Sequence, residues 1–388
     1  MRYRWLVCSQ VNSESFQRVV ELVSQRVGHT LMLTGTAYPG TGGHTRIRSG
    51  PKYWRRGLVS RAVSWLAFAG WAAIRTWRLN RTAFLLTTTN PPLMPWVCLL
   101  RSLWGGPYGV VVWDIYPDHL AAAGLLGRRN PLFLLWRAID SSALRRATIL
   151  LTPGQGMARE LLSSRPGLDR KKLKTWENWA QTNTLRPVRR EENWFAQRYV
   201  PAGCLAVMYS GNVGLNHGCS TIVEAATAVR EDPRFVFLVV GDGLGLAPLK
   251  AEAKKRSLDN VTFLPYQSPE AFRMSLASAP VGIVTQRADI AHLSVPSKVY
   301  AHLAVGAAIL ACAPIDSDLG RLVRRHRVGR VVDPPGDATR FVKALLRLAD
   351  DPAYLADCRR NARRLALRQY SEDAASRRLY GAISPFIR

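Results

Sequence analysis

The sequence predicts an α/β protein made of two Rossmann-like domains, each a doubly wound parallel sheet. Three observations carry this. First, four segments of the C-terminal half follow one another at ordered spacing: Met208-Tyr209-Ser210-Gly211-Asn212-Val213-Gly214, Phe237-Leu238-Val239-Val240-Gly241-Asp242-Gly243, Val261-Thr262-Phe263-Leu264-Pro265, and Val295-Pro296-Ser297-Lys298-Val299-Tyr300 closing on Gly306. Most join an apolar, strand-like run to small or polar residues, the form in which a parallel sheet presents its strand ends. Second, the N-terminal half alternates strand-like and helix-like runs, which implies a parallel sheet with helices on both faces. Third, 388 residues are enough for two domains, each with its own core.

In chain order, residues 4–8 and 30–33 read as strands around a helix from about 14 to 25, with Gly28-His29 as the turn. Residues 84–86, 109–113 and 147–151 read as later strands of the same sheet. Residues 1–182 form the first expected domain. The polar, charged, proline-bearing stretch 183–203 is the expected linker, 204–370 the second domain, and 371–388 a helix crossing back to the first. The apolar run at the start is too short for a signal-peptide core and reads as a buried strand.

Hydrophobic content of 47% describes a globular chain. The six cysteines are scattered without a C-x-x-C pair, which argues against zinc or a disulfide framework and fits a reducing cytoplasm. Net charge is +27, with +19 in residues 1–200 and +8 in 201–388, and all 12 tryptophans lie between Trp5 and Trp194. Basic residues attract anionic surfaces and tryptophan prefers the boundary between headgroups and acyl chains, so an anionic membrane surface is an expected partner. The best candidate for the contact runs from Tyr53 to Arg81, where Ala62 to Ile74 is apolar between Arg61 and Arg75. It is too short to span a bilayer, which takes about 20 apolar residues, so it lies in the interface or packs in the core. A second candidate is 91–100, whose prolines argue against a spanning helix.

The four C-terminal segments resemble the C-terminal half of retaining glycosyltransferases of the GT-B fold, particularly family 4. Gly329-Arg330-Val331-Val332-Asp333-Pro334-Pro335-Gly336-Asp337 is similar to a late turn of that family, and Leu348-Ala349-Asp350-Asp351-Pro352 to the helix end that follows. In the N-terminal half, Thr89-Asn90-Pro91-Pro92-Leu93 and Val112-Trp113-Asp114-Ile115-Tyr116-Pro117-Asp118 resemble one branch, which acts on bacterial lipid-linked sugars for surface polysaccharides. The resemblance implies a metal-independent transferase without cofactor, peripheral on the inner face of the cell membrane. It would move a hexosyl- or N-acetylhexosaminyl-type sugar from a nucleotide-sugar donor to a lipid-linked or glycan acceptor.

On that reading the donor contacts are Ser210, Gly211, Asn212, Gly214, His217, Gly241, Asp242, Gly243, Arg287, Ser297 and Lys298. Small residues between strand and helix let backbone N–H groups approach phosphate, and Lys298 is the expected cation for the diphosphate. Each has a plainer reading, a ligand-free turn or a solvated lysine. Asp114 and Asp118 are the acceptor-side candidates, either able to orient or deprotonate a hydroxyl. Asp118 has the alternative duty of capping a helix, and the adjacent His119 that of a structural histidine. Asp316-Ser317-Asp318 has the look of a metal motif but the setting of a helix cap, so no metal is expected.

The chain departs from the wider family in four places. Asn212 and His217 stand where many relatives carry Arg and Lys, and Ala301 where they carry a ribose-binding glutamate, with His302 next. Ser9-Gln10-Val11-Asn12-Ser13 replaces a Gly-Gly loop. The change at Ala301 leaves a catalytically inactive scaffold in a polysaccharide-assembly complex as the alternative. The high positive charge would suit nucleic acid, but no helix-turn-helix, zinc or RNA-binding signature is present, so nucleic acid is not an expected partner.

Overall fold

The computed structural model describes residues 3–40, 43–54, 57–79, 82–214 and 218–387. The chain divides into two compact units: Met1–Glu177 with Leu293–Val295 and Glu372–Arg388, and Asn178–His292 with Pro296–Ser371.

Seven parallel strands form the sheet of the first unit. They are β1 (Trp5–Ser9), β2 (Thr30–Thr34), β3 (Thr45–Ser49), β4 (Phe84–Thr88), β5 (Tyr108–Val111), β6 (Ile149–Thr152) and β7 (Leu173–Thr175), in the order β3-β2-β1-β4-β5-β6-β7. β1 pairs with β2 on one side, Trp5 opposite Thr30, and with β4 on the other, Trp5 opposite Phe84. Strand order therefore reverses beside β1, and the carboxyl ends of β1 and β4 flank the crevice where such sheets bind ligands. β1, β2, β4, β5 and β6 were expected from their apolar runs. β3 and β7 were not, because they are the two edges and carry Arg46, Arg48 and Lys174 in place of apolar residues.

The helix Glu14–Val27 starts at Ser13, whose hydroxyl accepts from the Phe16 N–H, and stops at Gly28, whose φ of 93° suits glycine alone. It buries Phe16, Val19, Val20, Val23 and Val27, side chains each worth about 1.5–3 kcal/mol when fully removed from water. Against it lies the helix Glu372–Ile383 from the C-terminus, with Ser15 Oγ donating to Glu372 Oε1 at 2.7 Å and Trp176 Nε1 to the Ala375 carbonyl at 3.0 Å.

The apolar stretch around Ala62–Ile74 lies in one helix, Gly57–Trp77. Among the described residues no helix is long and apolar enough to cross a membrane. The proline-bearing stretch continues into the helix Met94–Ser102, with Pro95 in its first turn and Met94, Val97 and Cys98 buried. From its end the buried Arg101 reaches back to the Thr76 and Ala83 carbonyls, at 2.7 and 3.1 Å, tying the close of one helix to the start of β4.

The second unit has six parallel strands: β8 (Leu205–Ser210), β9 (Phe235–Val240), β10 (Val261–Leu264), β11 (Val281–Thr285), β12 (Ala308–Cys312) and β13 (Gly329–Val332). Their order is β10-β9-β8-β11-β12-β13, so the switch point lies between β8 and β11. The stretch expected as a linker packs into this unit instead. Leu185, Phe195 and Val200 are buried in its core, and Arg363 on the helix Pro352–Gln369 donates to the carbonyls of Leu185 and Ala304 at 2.9 and 2.6 Å. Polar composition misleads here because those backbone oxygens are satisfied by an arginine from far along the chain. All six thiols are free.

Candidate functional site

At the switch point of the second unit the turns after β8 and β9 are stitched together. Gly211 N donates to the Val240 carbonyl at 2.9 Å, Val213 N to Asp242 O at 2.8 Å, and Gly245 N to Val213 O at 2.8 Å. The approach is close enough to demand glycine. A Cβ on Gly241 would lie 1.9 Å from Gly211 O, and one on Gly243 would lie 2.5 Å from Val213 O and 2.6 Å from Asn212 Oδ1. The φ values of Gly211, Gly241 and Gly243, 124°, 147° and 145°, also exclude most side chains. Asp242 is exposed and accepts from the Gly243 N–H at 2.7 Å, so its carboxylate fixes its own turn.

Lys298 opens the helix Lys298–Ala304 and brings its ammonium to this cradle. Nζ donates to the Tyr209 hydroxyl, lies 3.8 Å from the Tyr209 ring centre, and would sit 3.8 Å from a Cβ on Gly211. Tyr209 in turn donates to the Asn212 carbonyl at 2.7 Å, so one phenol orients both the cation and the loop. Burial pulls the Lys298 pKa down to about 8, opposed by the nearby Cys219 thiol. Ser297 is exposed and makes no side-chain cap bond to the helix it precedes.

The depressed Lys298 value has a consequence of definite sign. A bound diphosphate favours the ammonium and raises its pKa, so binding takes up a proton once the free protein has lost it. Nucleoside diphosphate affinity is therefore expected to be flat just below about pH 8 and to fall by up to about tenfold per pH unit above it, as calorimetric titration across that range will read. Folding responds oppositely: the unfolded lysine titrates near 10.5, so stability gains as pH rises from about 8 through that value.

Arg287 lies beside this loop, its Cγ 3.9 Å from a Cβ on Gly218, and is paired with Asp289 at 2.6 Å. The pair is exposed, so it holds the guanidinium weakly. Ser210 is buried at the end of β8 and Gly214 ends the described part of the turn; His217 lies outside the described residues. Sequence reasoning missed Tyr209. Its signal was a phenol in an otherwise aliphatic strand, one residue before the Ser-Gly turn.

Where a ribose-binding glutamate was sought, Ala301 packs against the unit's core. His302 is fully buried with neither ring nitrogen partnered, and burial pushes its pKa down to about 3, so it is neutral. Its ring fills the space above Gly282, where a Cβ would lie 2.5 Å from it. Ser317 caps the helix Asp318–His326 by accepting from the Gly320 N–H at 3.1 Å. Among the described residues no three His, Cys, Asp or Glu side chains are grouped to hold a metal.

In the first unit, Asp114 follows β5 in a loop tied down on both sides. Its N–H and that of Trp113 donate to Thr89 Oγ1 at 3.3 and 3.1 Å, Asp114 bridges Ser294, and Ile115 N donates to Leu293 O at 3.0 Å. The Asp114 carboxyl is one-third exposed and lies 3.9 Å from His119 Nε2. Desolvation by the surrounding protein raises its pKa, and the neighbouring His119 works against that rise. This suits a group that takes a proton.

Asp118 departs from expectation. It is buried in the first turn of the short helix Asp118–Ala122, and its Oδ2 accepts from Arg165 Nη2 at 2.7 Å. The fully buried Arg165 also binds the Tyr116 carbonyl at 2.7 Å and approaches Asp140 at 3.5 Å. A carboxylate committed to a buried arginine is unavailable to a substrate hydroxyl. Asp118 is a positioning residue for the loop that carries Asp114 and His119.

With this geometry in place, residues 191–365 match the family model described as Glycosyl transferases group 1. Among curated proteins the chain is similar to WbjE of Pseudomonas aeruginosa, named as a probable glycosyltransferase, at 27% identity over 303 residues, 78% of this chain and 74% of that protein. It is also similar to WcaI of Escherichia coli (strain K12), named for colanic acid biosynthesis as a glycosyl transferase, at 28% over 269 residues, 68% of this chain and 64% of that protein. Among solved structures, Alr3699/HepE of Anabaena in complex with UDP superposes with a TM-score of 0.74 at 13% identity, covering 99% of this chain and 100% of that one. WaaG, a glycosyltransferase involved in lipopolysaccharide biosynthesis, superposes at 0.70 and 13%, covering 98% of each chain. The fold is GT-B, and the match to the group 1 glycosyl transferase model lies within the second unit save for Leu293–Val295.

Proposed function

We propose that this protein is a glycosyltransferase that moves a sugar, with retention of configuration and without a metal, from a nucleotide-sugar donor to a lipid-linked or glycan acceptor. The reaction would take place at the cytoplasmic face of the membrane, in surface polysaccharide or lipopolysaccharide biosynthesis. The observation that carries the reading is the cradle of Gly211, Gly241 and Gly243 with Lys298 held over it by Tyr209. The single ammonium that Tyr209 orients beside these glycine turns fits a diphosphate leaving group, whose developing charge a preorganised donor stabilises. A solved relative of the same fold is in complex with UDP-glucose, which supports a nucleotide sugar as the ligand class. The names of WcaI and WaaG support the biosynthetic setting. In unit 1, Asp114, with His119 beside it, would orient the acceptor hydroxyl and take its proton as the glycosidic bond forms and the donor's bond to diphosphate breaks.

The test offers UDP-, GDP-, dTDP- and CDP-sugars with a bacterial membrane-lipid extract, in the presence of EDTA. Transfer of label from one donor into the lipid fraction is expected, with the donor's anomeric configuration kept in the product's NMR spectrum. An inverted product would remove retention, and dependence on a divalent ion would remove the metal-independent part. Failure of every nucleotide to bind would favour the inactive scaffold, the reading that Ala301 motivates.

A further inference from the structure

We propose that the outer face of the helix Gly57–Trp77, continued by the ends of two neighbouring helices, docks the first unit onto an anionic lipid bilayer beside Asp114. This deepens the proposed function and rests on it only in taking the acceptor to be lipid-linked.

The helix is turned inside out. Toward the protein it presents Ser64, Phe68, Ala72 and Thr76, two of which are polar and bond only their own helix's backbone. Toward water it presents Val59, Val63, Leu66, Ile74 and Trp77, exposed by 78, 46, 63, 59 and 52%. These positions recur at three- and four-residue steps, with the exposed Gly70 midway in the eight-residue step from Leu66 to Ile74, and so form one stripe. No charged residue interrupts the helix between Arg61 and Arg75. A soluble helix does the reverse, and an apolar face of this kind marks a contact surface.

The surface extends beyond one helix. Met94–Ser102 packs on Gly57–Trp77, and Pro131–Arg146 packs on Met94–Ser102, so the three form one layer. Leu100, Leu103 and Trp104 are exposed at the end of the middle helix, and Leu132, Leu134 and Leu135 at the start of the third. Trp77 and Trp104 join the first two, ring centres 3.8 Å apart. Between these two helices lies an open pocket of about 370 Å³ lined by Ala73, Ile74, Trp77, Val97 and Leu100 together with Thr76, Arg78 and Arg101, largely apolar space with cations alongside that fits an acyl chain under an anionic headgroup. Among the described residues, thirteen of the eighteen exposed large apolar side chains lie between Trp54 and Leu135.

Charge selects the occupant. From residue 22 to residue 113 the chain has eleven Lys and Arg and not one Asp or Glu. A second copy would set this basic region against itself, whereas anionic headgroups complement it. The face also borders the acceptor side. Trp65, on the same helix, meets Tyr116 edge-on at 6.4 Å, and Tyr116 lies 5.9 Å from the His119 ring that faces Asp114. An acceptor whose lipid stays in the bilayer would thus reach Asp114 without leaving it.

The test is co-sedimentation of the full chain with neutral phosphatidylcholine vesicles and with vesicles containing phosphatidylglycerol, for the natural protein and for the double variant Leu66→Glu, Ile74→Glu. Tight binding to the anionic vesicles, much weaker binding to neutral ones, and at least a tenfold loss in the variant are expected. Both side chains already face water, so the variant should keep its melting temperature and its nucleotide affinity. Equal binding by variant and natural protein would overturn the proposal, as would equal binding to both vesicle types. A dimer that the variant splits, with no vesicle binding, would overturn it in favour of a second copy. Nucleotide titration without vesicles keeps the two readings apart: vesicle binding with no nucleotide binding removes the proposed function and leaves the docking face standing.

Discussion

Lys298→Ala weakens nucleoside diphosphate binding by roughly 10- to 150-fold, the cost of losing a charge-assisted hydrogen bond of about 1.5–3 kcal/mol to an anionic ligand. The variant should fold normally. Lys298 is part-buried at a depressed pKa, a cation the fold holds at some cost, so its removal relieves desolvation and should leave thermal stability unchanged or higher. Tyr209→Phe tests how the cation is aimed. It keeps the ring beneath Nζ but removes the hydroxyl that Lys298 donates to and the bond to the Asn212 carbonyl, so an intermediate loss of affinity is expected. Calorimetric titration with UDP, GDP, dTDP and CDP measures both variants. Unchanged affinity of the alanine variant for the preferred nucleotide would take the diphosphate away from Lys298.

The second large effect is on stability, in the first unit. Arg165→Met leaves Asp118 and Asp140 buried without their shared cation, which costs about 3–5 kcal/mol when one partner of a buried ion pair is removed. For a unit of this size that lowers the melting temperature by roughly 6–20 °C. Desolvation already pushes Asp140 up to about 7, with Arg165 holding it down, so without the arginine it should stay protonated at neutral pH and soften the loss. Asp140 sits above its unfolded value, so it binds a proton in the folded state that the unfolded state has released. The natural protein's Asp140 holds that proton up to about pH 7 as well, so the variant's deficit should be flat between about pH 4 and 7 and grow above 7, where the natural carboxylate ionises beside Arg165 and the variant's has no cation to ionise against. Urea unfolding at several pH values reads this directly. A deficit that shrank with rising pH would contradict the assignment. Transfer activity should fall as well, because Arg165 also holds the Tyr116 carbonyl of the loop that carries Asp114.

How much of the site was legible depended on the separation of its parts along the chain. The Ser210–Gly214 and Gly241–Gly243 turns could be read because each is a local strand-turn unit with a small residue wherever backbone approaches backbone. Lys298 was legible from its place before an apolar helix. Tyr209 was missed because its contact with Lys298 spans 89 residues, and no local pattern predicts which strand-end phenol meets which lysine. Asp118 looked available for the same reason, its partner Arg165 lying 47 residues on. β3 and β7 escaped notice because an edge strand is half solvated and needs no apolar run. The segment 183–203 read as a linker because composition does not say that Arg363 will satisfy its carbonyls or that Phe195 will find the core.

By itself, the sequence determined the two parallel sheets, the glycine turns after β8 and β9, the basic N-terminal half and the apolar stretch that became the helix Gly57–Trp77. All follow from short-range physics: hydrophobic period, the φ that only glycine adopts readily, and the sum of charges. Only the tertiary structure decided that this helix turns its large apolar residues outward, that Tyr209 aims Lys298, and that Arg165 occupies Asp118. Each of these depends on which distant segment arrives to bury a face or neutralise a charge. Periodicity specifies that a helix has an apolar side, but the packing of its neighbours decides whether that side meets the core or the surroundings.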